Sequence, residues 1–213
     1  MNIGVKICGL STRSDVDAAV HGGAQFVGFM FFPPSPRNVH PELASVLGLH
    51  VPRSVKKVAV VVNPSDEEIA VILESINADM LQLHGNESPD RVADIRRQSG
   101  CAIIKTISVS SAEDVSAAKQ YEGVADMLLY DAKAQADDAL PGGNAYAFDW
   151  TLLADINPAL PWFLAGGLNA GNLAEAVSAS GARHVDVSSG VETVRGIKDP
   201  QKIAAFLSAA GGL

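Results

Sequence analysis

The chain has 213 residues, 47% hydrophobic and 19% charged, with a formal net charge of −8. Such a chain buries an ample core without disulfides or structural metal, and its acidity argues against nucleic acid, whose phosphate backbone needs a basic face. Cys8 and Cys101 form neither a CxxC pair nor a disulfide framework, and no signal peptide or uninterrupted apolar span is legible, so a soluble, reduced, cytoplasmic protein with no membrane partner is expected.

The first apolar run, residues 3–8, stops at Cys8-Gly9. Strand alternation sends Lys6 and Cys8 to the same side. Lys is almost never fully buried unless paired, so an anionic partner is expected for Lys6. The pair reads either as a small core Cys beside a snorkelling Lys or as a thiolate held near a cation, hence a nucleophile or general base. This run alone leaves both open.

Ser11-Thr12 supplies N-cap chemistry for a helix over 13–22, ended by Gly22-Gly23. A second run, 26–30, leads into the stiff loop Pro33-Pro34-Ser35-Pro36-Arg37 and a helix over 41–48 opened by Pro41. The third run is 58–62, and Asn63-Pro64-Ser65 opens a helix over 66–76 with acidic residues at its positive end. The fourth, 80–85, ends in His84-Gly85 and precedes a helix over 88–98. A fifth strand covers 102–106, and Ser110 or Ser111 caps a helix reaching Tyr121. The sixth, 126–131, ends at Asp131 and is followed by a glycine-containing loop and a short helix over 149–155. The seventh, 161–165, ends at Gly166-Gly167 with a helix over 170–180. The eighth, 184–187, ends at Ser188-Ser189-Gly190, and a closing helix spans 199–210.

Strands alternating with helices imply right-handed crossovers and a parallel sheet. Eight units point to a closed (β/α)8 TIM barrel forming one domain over residues 1–213. An open doubly wound sheet is the alternative, but it usually has fewer strands and a switch point.

In a barrel of this kind the active site lies at the C-terminal ends of the strands. The strand ends therefore nominate Cys8, Arg37, His84, Asp131, Gly166, Gly167, Ser188, Ser189 and Gly190. The Gly-Gly and Ser-Ser-Gly ends fall where barrels build a phosphate site from the loops after strands 7 and 8; ordinary turn chemistry is the plainer account. Asp131 is either structurally paired or available for proton transfer. His84 is weaker evidence, since a His after a strand is often only structural. Arg37 is either a surface residue in a stiff turn or a fork aimed at a carboxylate. Cys101 begins a strand at the other end and reads as packing. No metal-ligand spacing and no dinucleotide fingerprint is present. The set suits proton transfer on a small phosphorylated sugar derivative.

These strand ends resemble the phosphoribosylanthranilate isomerases of tryptophan biosynthesis. The matching pieces are Lys6-Ile7-Cys8-Gly9, Gly28-Phe29-Met30-Phe31 through Ser35-Pro36-Arg37, Gln82-Leu83-His84-Gly85, Leu129-Tyr130-Asp131, Phe148-Asp149-Trp150, Ala165-Gly166-Gly167-Leu168 and Asp186 through Glu192. They run across essentially the whole chain in the family's order. The resemblance implies an Amadori rearrangement of N-(5′-phosphoribosyl)anthranilate, with Asp131 as general acid on the furanose oxygen and Cys8 as general base at C2′. It implies that Arg37 holds the anthranilate carboxylate and that the Gly and Ser ends hold the phosphate. One departure is the stretch Gly142-Gly143-Asn144-Ala145-Tyr146-Ala147, where family members often carry a Gly-Gly-Thr-Gly run. Indole-glycerol-phosphate synthase and ribulose-phosphate epimerase, the enzyme rivals, call for other residues at the strand ends. A non-catalytic phosphate-ligand binder is the remaining rival, with no use for both Cys8 and Asp131. Monomer and homodimer remain equally open, because no helix face carries a decisive apolar excess.

Overall fold

The computed structural model describes residues 3–135, 142–143, 146–156 and 158–213. Eight parallel strands follow one another round a closed barrel: β1 (Gly4–Cys8), β2 (Phe26–Phe31), β3 (Lys56–Val61), β4 (Met80–Leu83), β5 (Ala102–Val109), β6 (Met127–Ala132), β7 (Trp162–Leu164) and β8 (His184–Val187). Pairing of β8 with β1, Lys6 opposite Asp186, closes the ring and rules out the open sheet. Outside it run α1 (Arg13–His21), α2 (Pro41–Gly48), α3 (Asp66–Ile76), α4 (Pro89–Ser99), α5 (Ala112–Ala117), α6 (Leu173–Ser180) and α7 (Pro200–Gly211).

The helices start where their side chains satisfy orphan amide groups. Thr12, Ser65 and Ser111 each accept from the amide three residues on, and Asp15, Glu68 and Asp114 return the bond as capping boxes. Each cap is worth about 1 kcal/mol. Between β6 and β7 the expected short helix is only a 3-10 turn, Trp150–Leu153. Asp149 starts it by accepting from Thr151, but Pro158 and Pro161 follow closely and cannot donate to a continuing helix. The helix expected to reach Tyr121 likewise tightens into a 3-10 turn over Ala118–Tyr121.

Alternation divides the core in two. Cys8, Val58, Val60, Ile104, Leu129 and Phe163 point into the barrel, while Ile7, Val27, Leu81, Ile103, Leu128 and Val185 face the helices. Filling the inside with side chains leaves only its upper rim for chemistry. A short antiparallel hairpin after β8, β9 (Glu192–Val194) with β10 (Ile197–Lys198), is not legible as strands in its polar sequence. Cys101 lies half-buried just before β5, its thiol directed at the Ala78 carbonyl, in line with a packing role. Among the described residues no helix is long and apolar enough to cross a membrane.

Candidate active site

At the C-terminal rim lies an open cavity lined by Cys8, Arg37, His84, Asp131, Gly166, Gly167, Ser188 and Ser189 among others. Eight of the nine residues nominated from the sequence thus meet on one surface. Gly190 is not among the lining residues. A Cβ there would lie 1.8 Å from the Leu168 carbonyl oxygen, so this glycine lets the loops after β7 and β8 press together. Gly167 adopts φ 65°, which only glycine takes without strain, and it packs against the backbone of Tyr146 and Ala147.

Cys8 ends β1 at the floor of the cavity. Its neighbour Lys6, completely buried, donates to Asp186 Oδ1 at 2.8 Å, which supplies the anionic partner its burial demands. The Lys6 ammonium and the Cys8 sulfur converge at Gly28, where an added Cβ would lie 3.2 Å from one and 3.1 Å from the other. Burial lowers Lys6, but the charges of Asp186 and Cys8 outweigh it, so its pKa ends above the usual lysine value. Burial pushes the Cys8 thiol up, and the pull of Lys6 and Lys198 does not overcome it. Of the two readings of the Lys6-Cys8 pair left open by the sequence, the direction of this shift favours a resting thiol over a resting thiolate. Lys6 moderates the penalty of burial without cancelling it.

Asp131 ends β6 inside the rim, its Oδ1 accepting from the Ala132 amide at 2.9 Å. Its Oδ2 lies 3.4 Å from Nε2 of His84, in ion-pair reach but without hydrogen-bond alignment. Gln82, buried two residues before His84 on β4, donates to His84 Nδ1 at 3.2 Å and to Thr106 Oγ1 at 3.3 Å. Nε2 of His84 and Oε1 of Gln82 are buried without a hydrogen-bond partner among the described residues. Gly142 lies over this contact: a Cβ there would come within 2.5 Å of His84 Nε2 and 2.9 Å of Asp131 Oδ2. Asn144 and Ala145, where the sequence departs from the family's loop, lie outside the described residues.

Arg37 is not a surface residue. It is 3% exposed, and its fork grips Glu192, Nε to Oε1 at 2.7 Å and Nη2 to Oε2 at 3.0 Å, with Nη2 also donating to the Gly143 carbonyl at 3.2 Å. The bidentate edge expected to take a ligand is thus already occupied inside the protein, and Nη1 lies against Gly143, where an added Cβ would come within 2.5 Å of it. Ser188 is held from behind by Lys198, whose ammonium donates to its carbonyl at 2.9 Å and its hydroxyl at 3.1 Å. Glu192, Lys198, Gln82 and Asp186 were not nominated as site residues from the sequence, although Gln82, Asp186 and Glu192 fall within the stretches that carry the family resemblance. The charge of Lys6 also called for an anionic partner, which Asp186 supplies.

The arrangement offers a buried thiol, a carboxyl group on a facing strand, one arginine edge and a rim of small residues between them. That is a site for moving protons on an anionic ligand. Among the described residues no group of three or more His, Cys, Asp or Glu could hold a metal ion.

A family model described as N-(5′phosphoribosyl)anthranilate (PRA) isomerase matches residues 5–209. An N-(5′-phosphoribosyl)anthranilate isomerase of Paramagnetospirillum magneticum is 50% identical over 212 residues, covering 100% of this chain and 99% of its own length. A crystal structure of phosphoribosyl anthranilate isomerase in complex with reduced 1-(o-carboxyphenylamino)-1-deoxyribulose 5-phosphate matches with a TM-score of 0.86 and 32% identity, over 99% of this chain and 100% of that one. Monomers of the dimeric phosphoribosylanthranilate isomerase of Thermotoga maritima match with a TM-score of 0.85 and 32% identity, again over 99% and 100% of the two chains.

Proposed function

The chain belongs to the N-(5′-phosphoribosyl)anthranilate isomerase family, and from that premise we propose that it rearranges N-(5′-phosphoribosyl)anthranilate to 1-(2-carboxyphenylamino)-1-deoxyribulose 5-phosphate, with Asp131 as general acid and Cys8 as general base. The observation that carries this reading is the convergence of Cys8 and Asp131 on one cavity beside Arg37 and the Ser188-Ser189 rim.

In the first step the Asp131 carboxyl gives its proton to the furanose ring oxygen. The bond from C1′ to that oxygen breaks, and the nitrogen lone pair forms a protonated Schiff base. In the second, the Cys8 thiolate takes the proton from C2′. The C–H electrons form the C1′–C2′ double bond and neutralise the nitrogen, giving an enolamine that becomes the ketone as C2′ loses its hydroxyl proton and C1′ gains one. Positioned acids and bases contribute roughly 10² to 10⁴-fold each to such steps. Because burial raises the Cys8 thiol, the base form is scarce at neutral pH, and Lys6 and Lys198 enlarge its share. His84, whose Nε2 lies 3.4 Å from Oδ2 of Asp131, forms the wall beside the acid.

The anthranilate carboxylate meets the guanidinium of Arg37, and the phosphate meets the backbone amides and hydroxyls of Gly166, Gly167, Ser188 and Ser189, with Gly190 permitting the close approach of their loops. Neither group requires a cofactor or metal. One catalytic domain over residues 1–213 suffices for the reaction. The test is the loss of phosphoribosylanthranilate fluorescence with purified protein. Wild type is expected to consume the substrate, and Arg37→Ala to raise KM far more than it lowers kcat. No turnover by wild type, or an unchanged KM in Arg37→Ala, would sink the reading.

A further inference from the structure

The carboxylate of Glu192 is saturated by donors from three residues, Arg37 in the loop after β2 and Gly196 and Lys198 in its own hairpin. Oε1 accepts from Arg37 Nε at 2.7 Å and Lys198 Nζ at 2.8 Å, and Oε2 accepts from Arg37 Nη2 at 3.0 Å and the Gly196 amide at 3.1 Å. Side-chain exposure is 3% for Arg37, 4% for Glu192 and 0% for Lys198. Lys198 spends its other two donors on the carbonyl and hydroxyl of Ser188. An unbroken line of buried contacts therefore runs from Arg37 through Glu192 and Lys198 to Ser188. It joins the loop after β2 to the loop after β8, the two strands that flank β1 in the barrel. Gly9, the residue after Cys8, lies beneath it, since a Cβ there would come within 2.8 Å of Arg37 Cδ and 3.3 Å of Ser188 Oγ.

Two properties of this line exceed what stability needs. It holds two cations against one carboxylate, and its ends, Arg37 and Ser188, are cavity-lining residues. A surplus positive charge buried at a cavity wall attracts an anionic ligand. Occupation of the Arg37 fork by Glu192 also fixes the guanidinium plane.

We propose that Glu192 is a positioning residue that sets the distance between the guanidinium of Arg37 and the Ser188 edge, so that the carboxylate and phosphate ends of one ligand are recognised together. This rests on the assignment of those two ends made above. Glu192 itself touches no ligand, and its effect passes through Arg37 at one end and Lys198 at the other.

Glu192→Gln tests this in the full-length protein. It preserves shape but sets an amide donor against the donors of Arg37 and Gly196. The variant is expected to raise KM at least about tenfold with a smaller change in kcat, because displacement of a clamp costs binding geometry first. Affinity for inorganic phosphate alone should fall although the carboxylate lies behind Arg37. Arg37→Lys and Ser188→Ala should be strongly non-additive in KM in the wild-type background and additive in Glu192→Gln. Should Glu192→Gln fail to fold, Lys198→Met cuts only the second half of the line and is expected to weaken anthranilate binding at the far end. Unchanged KM and phosphate affinity in folded Glu192→Gln, or additive behaviour in both backgrounds, would overturn the proposal. A wild type that does not turn over phosphoribosylanthranilate would instead refute the proposed reaction, while the phosphate titration still reads the Glu192 line.

Discussion

Replacing Lys6 by Met removes the cation beneath the candidate base while keeping an unbranched side chain of similar length. Lys6 is wholly buried and its ammonium lies 2.8 Å from Asp186, whose side chain is 9% exposed. Removing one member of a buried pair leaves an uncompensated charge and costs about 3–5 kcal/mol. In a chain of this length each kcal/mol lowers Tm by roughly 2–4 °C, so a fall on the order of 10 °C is expected by scanning calorimetry. Adding Asp186→Leu should restore part of that loss, because the stranded carboxylate is then gone. The pKa of Lys6 is raised, so the pair's contribution is complete at neutral pH and is lost only as alkaline pH passes through its folded value. The thiol supplies the second readout. Lys6 pulls the Cys8 pKa down and Asp186 pushes it up, so losing Lys6 moves both influences toward a higher value. The rate of iodoacetamide alkylation, plotted against pH, should rise later in Lys6→Met than in wild type. An unchanged alkylation profile would refute the coupling of Lys6 to the thiol, and an unchanged Tm would refute the cost assigned to the stranded carboxylate.

Turnover by wild type should climb with pH through the alkaline side of neutrality, because burial holds Cys8 above the ordinary thiol range; a plateau already reached in mild acid would contradict that. Glu192 is held down to about 2 against an ordinary 4.5, by donors strong enough to outweigh its burial. Its contribution, roughly 3 kcal/mol, is therefore complete above pH 4.5 and lost as pH falls toward 2. Acid titration of stability should be shallower in Glu192→Gln, and identical slopes would count against the ion pairs. Gly190→Ala must push the Leu168 backbone away, which costs about 1–3 kcal/mol and should weaken inorganic phosphate binding; wild-type phosphate affinity would show that the loop contact is irrelevant to the site.

The barrel was legible because each apolar run ends in turn residues and five of the seven helices, α1, α3, α4, α5 and α7, begin with a hydroxyl or acidic cap. Strand β8 spans the expected residues, as does helix α3. Misjudged boundaries lie where tertiary contacts outweigh local pattern. Strand β5 runs on to Val109 because it pairs with β6 as far as Ala132, and nothing in Ile107-Ser108-Val109 alone demands that extension. The rim residues were readable by their position at strand ends, since barrel geometry converts position into function. The charges behind the rim were not. Arg37 and Glu192 are 155 residues apart, and Lys6 and Asp186 are 180. Only closure of the barrel and folding of the hairpin bring them together. The hairpin itself is held by buried charges rather than by alternating apolar residues, so periodicity carries no trace of it. The thiol's environment was half legible: the cation was visible in Lys6-Ile7-Cys8, but the depth of burial that outweighs it was not.

The proposed rearrangement depends on Cys8 as base and Asp131 as acid. The direct measurement is turnover of phosphoribosylanthranilate by Cys8→Ala and Asp131→Ala, followed by fluorescence, with each fold checked by circular dichroism. Both variants should fold as wild type and bind the substrate, while kcat falls roughly 10² to 10⁴-fold in each. Near-wild-type turnover in either folded variant would contradict the assignment.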